Sequence, residues 1–134
     1  MRSLWLAALL PLALMGCDDT IFEAPGGEVP TGVDGYEAVL AVADTHCLGC
    51  HSAASALGDL DLESDLHDAT VAVEGFYGLP IVDPGSLETS MLYLKIANQQ
   101  GDGDGTEMPP GSGGLSAPEI DLVGDWILDG APRE

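Results

Sequence analysis

Residue types that do redox or metal chemistry meet in one short stretch, Cys47-Leu48-Gly49-Cys50-His51. On a helical turn, positions i, i+3 and i+4 share a face, so both thiols and the imidazole converge on one object. The C-x-x-C-H order is that of covalent haem attachment: two thiols add to two vinyl groups, and the imidazole reaches the iron from one side. Taken alone, the cysteine pair also fits a redox disulfide or half of a zinc site. Zinc needs further ligands, and the remaining histidines, His46 and His67, lack the usual spacing. A thioredoxin-like disulfide needs a preceding strand, and the residues before Cys47 read as a helix. One covalent haem c is therefore the expected cofactor, held at Cys47, Cys50 and His51.

The sixth iron position decides what such a haem does. Met108 is the expected distal ligand. It precedes Pro109-Pro110, and each proline fixes its own φ and restricts the residue before it, so the sulfur is presented from a stiffened backbone. Paired His and Met ligands raise the reduction potential. Met91, His67 and an open position are the alternatives. Met91 falls at core spacing in an amphipathic segment, His67 reads as a solvated or capping residue, and His46 as a surface residue off the haem-facing stripe.

These residues need elements to hold them. Tyr36, Val39, Leu40 and Ala43 follow the i, i+3, i+4, i+7 period of a helix that runs into Cys47. Asp34 with Glu37 forms a capping box at its start. Ser64 is placed to cap a short turn through about Thr70. Ser86 is placed to open a helix over 87–97, with Leu87, Met91, Leu94 and Tyr93 buried. Residues 98–114 are a Gly-rich loop carrying Met108. Ser116-Ala117-Pro118-Glu119 is a capping box with proline in the first turn, and the helix it starts runs to about Leu128 with Ile120, Val123, Trp126 and Ile127 apolar. The fold class is all-α: about three main helices around one haem, with long loops. Asp102-Gly103-Asp104-Gly105 with Glu107 faintly suggests calcium but lacks the remaining ligands, and a solvated loop is the better reading.

The N-terminus has its own pattern. Met1-Arg2 precedes an apolar run over residues 4–14, too short to span a bilayer, which needs roughly 20 residues. It ends in Leu14-Met15-Gly16-Cys17, which resembles a bacterial lipobox. Residues 1–16 are expected to be a signal peptide, Cys17 to be lipidated, residues 17–33 to be a flexible tether, and 34–134 to be the domain. This assigns a role to all three cysteines. Location follows: lipid-anchored on the periplasmic side of a bacterial membrane or at the cell surface.

Charge narrows the partners. Asp and Glu total 23 against three Lys and Arg, a formal net charge of −20. That excludes nucleic acid and favours protein partners with a basic face. There is no Ser/His/Asp order and no phosphate-binding glycine motif, so the chain reads as an electron carrier and not as an enzyme.

In this order, the motifs are similar to those of a class I cytochrome c domain, in a branch found in bacterial lipoproteins. The similarity runs through Cys47-Leu48-Gly49-Cys50-His51, Gly58-Asp59-Leu60-Asp61-Leu62, Val82-Asp83-Pro84-Gly85-Ser86, Leu92-Tyr93-Leu94-Lys95-Ile96, Met108-Pro109-Pro110 and Leu115-Ser116…Trp126-Ile127…Gly130-Ala131. It implies the small cytochrome c fold, His51 as proximal and Met108 as distal ligand, electron transfer with redox partner proteins, and Trp126 and Tyr93 packed near the haem. It also implies a carbonyl that orients the haem histidine. Many members supply that from a proline soon after the motif; here the next proline is Pro80, so the expectation shifts to a carbonyl within residues 58–62. The alternatives to electron transfer are a haem module that binds or senses a gas or peroxide, and a haem subunit docked on a dehydrogenase.

Overall fold

In the computed structural model, which describes residues 35–111 and 113–134, the apolar period beginning at Tyr36 forms helix α1, Gly35–His46. It buries Ala38, Val39, Val42 and Ala43 on one face. Asp34, the signal segment, the tether and Cys17 lie outside the described residues.

Helix α2, Leu66–Thr70, is capped one residue later than expected. The Asp65 carboxylate accepts from the Asp68 amide at 2.9 Å, satisfying a donor that the helix leaves unpaired. Ser64 is occupied elsewhere, its hydroxyl donating to Asp61 at 2.6 Å.

Helix α3 is Met91–Ile96, shorter at its start than the expected 87–97. The cause is local hydroxyl bonding. Ser90 Oγ donates to the Ser86 carbonyl at 2.6 Å and accepts from the Asp83 amide at 2.8 Å, and Thr89 Oγ1 donates to Asp83 Oδ2 at 2.5 Å. Such side-chain bonds give the backbone an alternative to the helical ladder, so residues 86–90 stay a turn and Ser90 becomes the cap.

Helix α4, Ala117–Leu128, has the expected bounds. Glu119 reaches back to accept from the Ser116 amide at 2.8 Å and from its hydroxyl at 2.7 Å. The helix stops where Gly130 adopts φ +94°, a left-handed conformation that suits glycine.

The helices close on one core. α4 packs across both α1 and α3, and Val39, Val42, Leu62, Leu66, Val82, Ile96, Val123, Trp126 and Ile127 are buried together. Gly124 allows the α3–α4 approach, because a Cβ there would stand 3.0 Å from the Tyr93 ring. Among the described residues there are four α-helices and no strands, only isolated bridges such as Val71 to Val82. The expected all-α class holds. No helix among these residues is long and apolar enough to cross a membrane.

Candidate functional site

α1 feeds directly into the cysteine motif. The Cys47 and Leu48 amides both donate to the Ala43 carbonyl, at 2.8 and 3.1 Å. The Cys50 and His51 amides then both donate to the Cys47 carbonyl, at 3.0 and 2.9 Å. These bonds place Cys47, Cys50 and His51 in one tight backbone turn. Both thiols are free, Cys50 exposed and Cys47 half-buried. Burial pushes the Cys47 thiol up to about 11, because a thiolate is disfavoured away from water. Cys47 borders a cavity walled by Val39 and Ala43 of α1, Leu62, and Leu92 and Ile96 of α3.

His51 differs from its expected surroundings. The returning chain does approach it, but through the backbone: the Leu62 amide donates to the His51 carbonyl at 2.8 Å. No carbonyl of residues 58–62 takes the imidazole, and its Nδ1 is buried with no hydrogen-bond partner. Without a proline after the motif, residues 52–56 close a local turn of their own, the Ser55 and Ala56 amides both donating to the Ser52 carbonyl at 3.0 and 2.7 Å. A buried imidazole nitrogen left unpaired is unfavourable by about 1–3 kcal/mol.

Met108 is half-buried. Its amide donates to the Lys95 carbonyl at 3.0 Å, and the Met108–Pro109 peptide is cis. The loop is thus fastened to the end of α3, the helix whose Leu92 and Ile96 wall the cavity beside Cys47.

The alternative ligands are engaged elsewhere. Met91 is buried at the start of α3. His67 Nε2 lies 3.1 Å from the Ala131 carbonyl, and its ring meets Tyr36 edge-on at 6.1 Å. Tyr36 sits near the opposite end of α1 from Cys47, about 16 Å along the helix axis. His46 corrects its surface assignment: its Nε2 lies 2.8 Å from Glu119 Oε1, tying the end of α1 to the start of α4. Burial pushes the Glu119 carboxyl up, but hydrogen bonds from the Ser116 hydroxyl and amide and from His46 outweigh it and hold Glu119 below the usual carboxylate range.

Trp126 stacks on Tyr36 at 5.9 Å and its Nε1 donates to the Pro132 carbonyl at 2.8 Å, so it serves the α1–α4 core. Tyr93 packs on Gly124. In the loop that faintly suggested calcium, the Asp104 and Thr106 carbonyls both accept from the Lys95 ammonium, and the Asp104 carboxylate accepts from the Gly101 amide at 3.1 Å. Sequence reasoning missed Lys95; the signal was a lone lysine within an otherwise apolar helix.

A haem fits these residues. The turn offers two unbonded thiols and an imidazole within five residues, and the residues lining the cavity beside Cys47 are mostly apolar. When residues of known proteins are compared, residues 47–112 match the family model described as planctomycete cytochrome C. No curated protein and no solved structure matches. The family implies covalently attached haem c, and Cys47 and Cys50 both lie within the matched residues. The match supports a cytochrome c-type domain that binds haem, and the helices of the described residues form the small, all-α fold such a domain has.

Proposed function

We propose that the protein is a one-electron carrier in which His51 and Met108 would hold the haem iron. The observation that carries this reading is how the donors are distributed. The C-x-x-C-H turn continues directly from α1 and the Met108 loop is bonded to α3 through the Lys95 carbonyl, while His67 is bonded to the Ala131 carbonyl and Met91 is buried at the start of α3. When bound, the haem supplies a reversible one-electron iron couple.

The protein's own residues do the rest. Cys47 and Cys50 hold the group as thioethers. His51 donates a nitrogen and Met108 a soft sulfur, a pairing that favours the reduced state. Val39, Leu62 and Ile96 keep water from the Cys47 side and lower the local polarity, which raises the potential further.

Partners are recognised by charge. Lys95 is buried against carbonyls, and Arg133 is held by Asp65 and Asp68 at 2.8 and 2.6 Å. No Lys or Arg among the described residues is left to face a partner, so the surface offers carboxylates and favours a basic docking face. Leu14-Met15-Gly16-Cys17 supports a lipid anchor at Cys17, which would fix the domain on the periplasmic side of a membrane or at the cell surface. Loss of membrane association in Cys17→Ala, read by fractionation, is the expected result; a variant that stays in the membrane fraction would remove the anchor from this reading.

The test of ligation is an absorption spectrum of the haem-loaded protein, oxidised and then dithionite-reduced, in wild type and Met108→Ala. A sharp reduced α-band, with a weak far-red oxidised band that vanishes in Met108→Ala, is the expected outcome. A spectrum indifferent to Met108→Ala would remove Met108 as ligand. Rapid carbon monoxide binding by the reduced wild type would favour a ligand-binding role instead.

A further inference from the structure

The chain's single lysine is placed where lysine is rare. Lys95 lies in the last turn of α3 and is 8% exposed. Burying an ammonium is strongly unfavourable unless donors and acceptors match, and its surroundings answer that demand. The ammonium donates to the Asp104 carbonyl and, at 2.9 Å, to the Thr106 carbonyl. It also sits 4.9 Å from the Tyr77 ring centroid, within range of a cation–π attraction. The backbone carbonyl of the same residue accepts from the Met108 amide at 3.0 Å.

One residue therefore grips alternate positions 104, 106 and 108 of the loop, two through its side chain and the third through its main chain. The loop needs it. Gly103, Gly105 and Gly111 all have positive φ, and glycine has the most backbone freedom to lose on ordering. Hydrogen bonds from a charged donor are the stronger kind. From the same short helix, Leu92 and Ile96 reach the cavity beside Cys47, so a loop fixed to Lys95 is fixed relative to the haem-attachment turn.

We infer that Lys95 is the positioning residue for Met108: ammonium and carbonyl together hold residues 104–108 against α3, so that the thioether meets the iron at a set place. The inference rests on the reading of Met108 as distal ligand.

The experiment uses the haem-loaded protein with Lys95→Met, which keeps the stem and removes the charge, Lys95→Arg, which keeps the charge, and Met108→Ala. A fourth variant, Gly105→Ala, opens the clamp from the loop side, because a Cβ there would stand 2.8 Å from Tyr77 Oη and 3.0 Å from Lys95 Nζ at φ +79°. It keeps the inference testable if Lys95→Met fails to accumulate. Amide exchange of residues 104–108, the far-red band and the reduction potential are measured on each.

In Lys95→Met, exchange at Met108 should quicken about tenfold or more, as loss of a charge-assisted hydrogen bond implies. The far-red band should weaken or vanish and the potential should fall, while exchange in α1 and α4 stays as in wild type. Gly105→Ala should move the same readouts in the same direction, and Lys95→Arg should recover part of the band. If Met108→Ala abolishes the band while Lys95→Met and Gly105→Ala leave band, potential and exchange unchanged, the inference is overturned and the ligand reading stands. If wild type and Met108→Ala share one spectrum, the ligand reading fails and the inference with it.

Discussion

The α1–α4 half of the domain and the half that carries the proposed haem ligands are built by opposite means. Between α1 and α4, side chains satisfy one another. Val39, Val42 and Ala43 meet Val123, Trp126 and Ile127 in one buried cluster. Tyr36 stacks on Trp126, and His67 fits against Tyr36 and the Ala131 carbonyl. In the other half, positions are set by backbone bonds to single residues: Cys47 accepts from Cys50 and His51, and Lys95 grips the Met108 loop. The His51 imidazole has a buried nitrogen without a partner. One half is held by side chains that meet one another, and the other by bonds to main-chain atoms.

The largest effect expected is at the half with the proposed ligands. Replacing Cys47 and Cys50 together by alanine should abolish covalent haem, seen as loss of haem from the denatured chain on a gel. The single replacements should leave one thioether and a shifted reduced α-band. Retention of covalent haem by the double variant would break the division between the halves, because the attachment would then lie outside the turn.

At the α1–α4 half, Trp126→Ala should lower stability by about 3–5 kcal/mol, the usual range for deleting a large buried aromatic, read as a shift in denaturant midpoint of the haem-loaded protein. The far-red band of the folded fraction should stay as in wild type. A lost band would mean that Trp126 reaches the ligand side, as the resemblance to class I cytochromes implies, and the two halves would then be one. Gly124→Ala should lower stability by a smaller amount, about 1–3 kcal/mol, because the added methyl crowds the Tyr93 ring at 3.0 Å.

The same division explains what could be read from the sequence. Helices α1 and α4 were legible because a 3.6-residue period and a Ser116–Glu119 capping box are local signals. The C-x-x-C-H turn was legible because its geometry follows from spacing within five residues. The start of α3 was not, because it depends on Ser86, Thr89 and Ser90 hydroxyls bonding within a turn anchored by Asp83, and the same residues would equally serve as helix caps. The role of Lys95 was hidden for a different reason. Its partners are carbonyls nine and eleven residues away, and a carbonyl leaves no mark in a sequence. His46 and Glu119, 73 positions apart, are likewise joined only by the α1–α4 packing.

That last pair gives the smallest effect and the finest test of how the α1–α4 half is held. Glu119 is held below the usual carboxylate range in the folded chain. A group depressed on folding stabilises the native state above its unfolded value and loses that contribution as pH falls through its folded value. Wild type should therefore lose stability below about pH 4 more steeply than Glu119→Gln, whose amide does not titrate. Near neutral pH, Glu119→Gln should be the less stable by about 1 kcal/mol, the scale of a lost helix cap, and the two should converge in acid. Thermal midpoints measured across that range read the difference between the variants, so the carboxylates they share cancel. Parallel curves would mean that His46 and Ser116 do not favour the ionised Glu119, and that the α1–α4 junction is held by apolar packing alone.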